Sequence, residues 1–428
     1  MTDESPVTGW WGRGVALLSR PVSSYTGTVL AAQSLNLVAG LLVMRWLGPA
    51  ELGVWQSMLT LETYCLVLRL GVINGMNRQL PFLLGKGDRA GALQHAEVTF
   101  CFTIGTAGVL LGSFSAAAFC WPGLDATWQL SLLTLACFTP FGLYSAFNEA
   151  TYRGSRTFAT LGWLIFANAL LGMSLLVLLP ALGYAGQCVR LVVIAASHAI
   201  CTAWLRPLDV RPKFSIPVLR KLLKMGLPLY FQNYLARASL AVGSLVLLWT
   251  GGPKALGYFA PAAAMLAVVG MVPNALQSYL QPQLHYDYGR DGSRRAVVAR
   301  SKRMATLMMV ASLPFALLGM ACLPWAVCAF LPAYEPSVGA MQLAMLVGVF
   351  RIFGVAASVF STLTAWREMF SNQIAMGVLH VSGALIGGAA FPDRPWFGVM
   401  LGLLAAALVY IPLTLWNLSR AENEPAAS

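Results

Sequence analysis

Five ionisable residues stand inside otherwise apolar stretches and are the places where this chain could do chemistry: Glu62, Arg69, Arg190, Arg237 and Arg351. In a bilayer centre a charged side chain costs about 2.5–3.5 kcal/mol or more, so it persists only beside a partner or a wet surface. Arg237 lies about 11 residues into its apolar run and Arg351 about 12, more than about 15 Å from either end at about 1.5 Å per residue, too deep for easy snorkelling. Around Arg237, Tyr230 and Asn233 fall seven and four residues before it and Ser244 seven after, one polar stripe at helical spacing. Such a stripe is either a cavity wall or a structural arginine held by helix-end carbonyls or a carboxylate. Arg351 has only Ser358 at the same spacing.

Glu62 and Arg69 are seven apart on one face, too far for a direct bridge but able to line one surface. Glu62 can pair with Arg237 or another cation, or bind a proton or Na⁺. Arg69 lies about 10 Å from one end of its run, where snorkelling and ligand contact are equal readings. Arg190, a few residues inside its run, is expected to snorkel outward. Two pairs, Gln33 with Asn36 and Asn274 with Gln277, recur at helical spacing and can hold sugar hydroxyls or join helices. His198 and His380 are single imidazoles in apolar runs, expected as packing residues. Guanidinium binds phosphate bidentately, so four arginines against one well-immersed carboxylate suit an anionic, phosphate-bearing ligand. No metal or cofactor site is expected: the eight cysteines are scattered, and no G-x-x-x-x-G-K-[ST] occurs.

The elements that must position these residues follow from composition. Of 428 residues, 58% are hydrophobic and 10% charged, far below the roughly 25% charged of a soluble domain. A soluble enzyme is excluded. Apolar runs give twelve expected spans, at about 25–44, 54–76, 96–120, 128–148, 159–181, 186–204, 226–250, 260–281, 304–324, 339–364, 374–391 and 398–417. Backbone groups in lipid must be satisfied within the segment, so the fold class is all-α, a polytopic membrane protein. No apolar run begins until about Thr26, after Asp3 and Glu4, so the first is read as a retained span rather than a cleaved leader.

The net charge of +12 invites a nucleic-acid reading, but its distribution rejects it. With the N-terminus inside, 21 of the 28 Lys and Arg fall on cytoplasmic segments and three on outer ones, which places both termini in the cytoplasm. Outer connections are short, the longest about residues 325–338, leaving no room for an outer catalytic domain.

An internal repeat organises the spans. Gly48-Pro49-Ala50-Glu51-Leu52-Gly53-Val54-Trp55 matches Gly252-Pro253-Lys254-Ala255-Leu256-Gly257-Tyr258-Phe259. Both read as a tight outer turn followed by an interfacial aromatic anchor. The expected organisation is a six-helix lobe over 1–204, a basic cytoplasmic linker over 205–225 and a second six-helix lobe over 226–428, pseudo-equivalent around a central cavity. Pro140, Pro228, Pro273 and Pro314 mark expected kinks.

The run Arg45-Trp46-Leu47-Gly48-Pro49 through Gly53-Val54-Trp55, then Leu70-Gly71 and Gly85-Lys86-Gly87-Asp88, resembles the start of polysaccharide and O-antigen flippases. These belong to the multidrug/oligosaccharidyl-lipid/polysaccharide exporter superfamily. Lys213-Phe214-Ser215 through Lys224 and Gly226-Leu227-Pro228 is similar to that family's lead-in to its seventh helix. The resemblance implies a bacterial inner-membrane protein that is not an enzyme and works by alternating access. Its passenger would be a polyprenyl-pyrophosphate-linked oligosaccharide, its partners membrane lipid and the glycosyltransferases and polymerase of the same pathway. Arg237, Arg69 and Arg351 would then neutralise the head group, Asn233, Tyr230, Asn274, Gln277, Gln33 and Asn36 would hold sugars, and Glu62 would couple an ion. An ion-coupled multidrug-type exporter is the alternative, with a membrane glycan polymerase or ligase a third reading.

Overall fold

The computed structural model describes residues 21–363 and 365–423, apart from the side chains of 21–24, 229 and most of 272–291. In chain order the helices are α1 (Pro21–Trp46), α2 (Pro49–Cys65), α3 (Val72–Gly85), α4 (Arg89–Cys120), α5 (Ala126–Gly154), α6 (Phe158–Ser174) and α7 (Leu178–Trp204). They continue with α8 (Ile216–Asp291), α9 (Arg294–Phe330), α10 (Val338–Arg351), α11 (Val359–Thr362), α12 (Trp366–Ala390) and α13 (Pro395–Asn423). Among the described residues there is no strand. Among the same residues, nine helical stretches are long and apolar enough to cross a membrane. Two of them, 47 and 42 residues long, each turn back at a glycine of positive φ, Gly183 (φ 54°) and Gly252 (φ 67°).

The second span corrects the expected continuous helix over 54–76. It runs as α2, tightens into a 3₁₀ turn at Leu66–Arg69, reverses winding at Leu70 (φ 45°) and Gly71 (φ 77°), and restarts as α3. At the prolines the helices are not interrupted: α5, α8 and α9 continue through Pro140, Pro228, Pro273 and Pro314. Proline removes one hydrogen bond that neighbouring groups in a bundle can replace, whereas two consecutive left-handed residues redirect the chain.

The chain divides into two compact units. The first comprises the residues up to Trp46 with Cys65–Phe231, the second Leu47–Tyr64 with Gln232 onward. In the first, Val72, Met76 and Leu80 of α3 pack with Ala92 and Ala96 of α4, Phe147 and Ala150 of α5 and Leu222 of α8. Lipid is as apolar as leucine, so helices associate through close packing and small residues rather than the hydrophobic effect. The backbones accordingly approach at glycine. An added Cβ on Gly71 would sit 2.6 Å from the Gly226 carbonyl oxygen, and one on Gly226 would meet the Gly71 carbonyl. The basic linker is anchored to the same unit. Arg206 donates to the carbonyls of Leu208 (2.8 Å) and Val210 (3.1 Å), and Lys213 pairs with buried Glu97 at 3.1 Å.

In the second unit α12 and α13 meet through two reciprocal glycine pairs, Gly383 with Gly402 and Gly387 with Gly398. Asn372 of α12 is the buried polar centre: it donates to the Tyr410 hydroxyl and accepts from Thr414 (3.2 Å) and Asn417 (3.3 Å) of α13. The two repeated motifs also meet here. Gly53 faces the Pro253 carbonyl and Gly257 faces the Pro49 carbonyl, a symmetric contact with no room for a Cβ on either side. Trp55 and Phe259 are consequently buried, 7% and 5% exposed, so the expected interfacial anchors are packing residues of a helix pair.

Candidate functional site

The break in the second span is clasped by tyrosines. Ending α2 and tightening the next turn leaves carbonyls without helical partners, and α8 supplies donors one turn apart. The Tyr230 hydroxyl donates to the Leu66 carbonyl and the Tyr234 hydroxyl to the Tyr64 carbonyl at 3.1 Å, while the Tyr64 hydroxyl donates to the Ala238 carbonyl at 2.9 Å. Tyr230, expected on a sugar-binding surface, is thus placed on backbone.

Arg237 lies in the regular part of α8 and is exposed. At about 3.6 residues per turn, it shares one face with exposed Asn233 and half-buried Ser244, bordered by Leu240. Phe231 and Trp249, exposed and apolar, fall on a different face about a third of a turn or more away. Exposed Leu240 lies on the Arg237 side, and exposed Leu227 and Leu245 lie between it and Phe231 and Trp249, so Arg237 and Asn233 are polar residues on a largely apolar exposed surface of α8. Among the described residues no carboxylate lies within ion-pair distance of Arg237, and none joins it to Glu62. Glu62 is half-buried on α2.

Arg69, half-buried, closes the 3₁₀ turn. Its charge acts on Glu149 of α5, a residue the sequence reading left out by ending the fourth span at 148. The helix continues to Gly154 and places the Glu149 side chain only 22% exposed. Glu149 accepts from Arg153, one turn on, and faces His198 Nε2 of α7 at 3.2 Å. His198 therefore has a charged partner, unlike the packing residue expected. The signal was present in sequence as a carboxylate and an imidazole in neighbouring spans, but only the bundle brings them together.

Arg190 also departs from expectation. It is 7% exposed, with Nε donating to the Gly172 carbonyl at 2.8 Å and Nη1 to Gln187 Oε1 at 3.3 Å. Gly172 lies one turn before the 3₁₀ segment Leu175–Val177, and its lack of a side chain lets the guanidinium lie against the backbone. Arg351 ends α10, where the span tightens into the 3₁₀ segment Ile352–Ser358. It is half-buried near Tyr410 and His380. His380 is buried and held by the Met376 carbonyl of its own helix at 2.7 Å. Gln33 and Asn36 are exposed on α1 and Gln277 is half-buried on α8, while the Asn274 side chain lies outside the described residues. Among the described residues no three His, Cys, Asp or Glu cluster as for a metal.

The architecture has solved relatives. An inward-facing multidrug resistance MATE family transporter of the MOP superfamily matches with TM-score 0.75 at 16% identity, over 92% of this chain and 96% of that one. An outward-facing multidrug resistance MATE family transporter of that superfamily matches with TM-score 0.66 at 15% identity, over 96% and 99%. A third is a MOP superfamily transporter from Pyrococcus furiosus described as having a binding pocket of reverse polarity that suggests a different function, with TM-score 0.65 at 16% identity, over 96% and 99%. The chain thus has the fold of MATE transporters and is a multi-pass membrane protein. No family model matches it, and no curated protein does.

Proposed function

We propose that this protein is a flippase that carries a polyprenyl-pyrophosphate-linked oligosaccharide from the inner to the outer leaflet by alternating access, for surface polysaccharide assembly. One observation carries the reading: Arg237 is exposed in an apolar stretch of α8, one turn from exposed Asn233 and without a carboxylate partner among the described residues. An unneutralised guanidinium in an apolar segment favours an anionic passenger. In this reading Arg237, with Arg69 and Arg351, neutralises the pyrophosphate. Asn233, Gln33, Asn36, Asn274 and Gln277 meet the sugars, Tyr230 supports them through the α2 break, and Glu62 couples an ion. Residues 1–204 and 226–428 act as the two lobes joined by 205–225. The location is a bacterial inner membrane with both termini cytoplasmic, as the one-sided distribution of Lys and Arg suggests. Pathway glycosyltransferases and a polymerase supply and use the cargo.

The second reading, an ion-coupled small-molecule exporter, is equally in keeping with the multidrug descriptions of the inward- and outward-facing neighbours. One assay separates them. In proteoliposomes, the protein is expected to expose a fluorescent polyprenyl-pyrophosphate-linked sugar to an outside quencher, and Arg237→Glu to slow this at least about tenfold, the effect of about 1.4 kcal/mol. Unchanged exchange in Arg237→Glu, with a cationic dye transported instead, would favour the exporter.

A further inference from the structure

The sequence points to one immersed carboxylate, Glu62, yet the structure holds another, Glu149, with a guanidinium and an imidazole against it. Glu149 of α5 accepts from Arg153 of its own helix and faces His198 of α7, and the charge of Arg69 from the second span acts on it as well. Arg206, from the α7 end of the linker, is engaged by the carbonyls of Leu208 and Val210 and by Asn148 Oδ1. The cluster is partly open, with Arg153 42%, Glu149 22% and His198 12% exposed. His198 Nδ1 is buried with no hydrogen-bond partner, so the imidazole is not fully satisfied by the carboxylate it faces. One guanidinium and one imidazole meet the Glu149 carboxylate directly, with the Arg69 guanidinium beyond ion-pair distance of it, and guanidinium and imidazole donors are what a phosphate group binds.

We propose that Arg69, Arg153 and His198 form a phosphate site in which Glu149 is a built-in counter-ion, and that the phosphate of a ligand competes with this carboxylate. The inference rests on the anionic passenger proposed above and adds a named site and its competitor. With no ligand, Glu149 neutralises the cations so that they are not left bare in a low-dielectric bundle. When phosphate arrives it takes the same donors, and the displaced carboxylate must turn toward the open side. Binding at this site is therefore weaker than its cations alone would give.

The test uses the full chain in detergent with inorganic pyrophosphate, by calorimetry, without any transport step. Glu149→Gln, which keeps shape and removes charge, is expected to tighten pyrophosphate binding about five- to tenfold, the scale of a partly exposed ion pair. Adding Arg69→Gln to that variant should abolish the gain. Unchanged or weaker binding in folded Glu149→Gln would overturn the proposal. Should that variant fail to fold, the wild type still decides: the His198 imidazole resonance, identified by its loss in His198→Gln, must shift on adding pyrophosphate, and a static signal overturns the site. Repeating the measurement with a polyprenyl phosphate in nanodiscs identifies the source. A gain with both probes marks a lipid head group, and a gain with the inorganic anion alone marks a soluble phosphate. If the site binds pyrophosphate while no lipid-linked sugar moves in proteoliposomes, the flippase reading fails and this one stands.

Discussion

Replacing Gly71 by alanine tests the geometry of the broken span at its tightest point, because two separable costs meet there. The first is conformational: Gly71 has φ 77°, a region that costs an L-residue about 1–2 kcal/mol. The second is steric, since the new methyl would lie 2.6 Å from both the Gly226 carbonyl oxygen and the Tyr230 Cβ. Ordinary carbon–oxygen contacts of this kind lie at about 3.3–3.6 Å, so α3 and α8 must part by somewhat under 1 Å, an overpacking cost of about 1–3 kcal/mol. The sum is about 2–5 kcal/mol, read as a lower midpoint of SDS-induced unfolding followed by circular dichroism. Gly87→Ala isolates the first cost, because Gly87 has φ 79° with nothing within 4 Å, and should lose only about 1–2 kcal/mol. Gly40→Ala removes both, since Gly40 lies inside α1 with open space around it. It is expected to stabilise by about 0.5–1 kcal/mol. If Gly71→Ala costs no more than Gly87→Ala, the close approach of α3 to α8 is wrong, and with it the tyrosine clasp.

Two further perturbations probe the second unit. Gly53→Ala and Gly257→Ala each force the repeated motifs apart and should cost about 1–3 kcal/mol, but the double variant should cost clearly less than their sum, because one separation relieves both contacts; additivity would mean the motifs do not share one interface. Asn372→Leu strands Tyr410, Thr414 and Asn417 together and is expected to cost about 1–3 kcal/mol, against about 0.6 kcal/mol for a typical interhelical bond in a membrane. An effect at the lower figure would show that the three groups find other hydrogen-bond partners.

How far the sequence could be read follows from which interactions are local. Apolar run length is local, and the crossings emerged from it because each must satisfy its own backbone. The irregularities did not, since Leu70-Gly71 reads as an ordinary step in an apolar run until the Gly226 carbonyl opposite is known. The same holds for Trp55 and Phe259: an aromatic after a Gly-Pro turn suits an interface, and only the reciprocal glycine contact buries it. Arg190 looked close enough to its span's end to reach water, yet Gly172 on α6 offers a nearer carbonyl. Glu149 was cut off by a boundary one residue short, an error smaller than the usual uncertainty of span edges. Its partner His198 is 49 residues away in sequence.

The four arginines in apolar spans then sort by what the backbone does beside them. Arg69 closes a 3₁₀ turn, Arg351 ends an α-helix where one begins, and Arg190 binds the Gly172 carbonyl just before a third. Irregular backbone at membrane depth is tolerated only where it is buried in protein or lines a wet surface, and a charge has the same requirement. Each therefore lowers the cost of the other, and three of the four have a structural reason for their position that needs no passenger. Among the described residues Arg237 has no such backbone irregularity beside it; it lies in regular helix, exposed, with Asn233 and Ser244 on its side. The flippase proposal should therefore be judged first on Arg237 and only afterwards on Arg69 and Arg351.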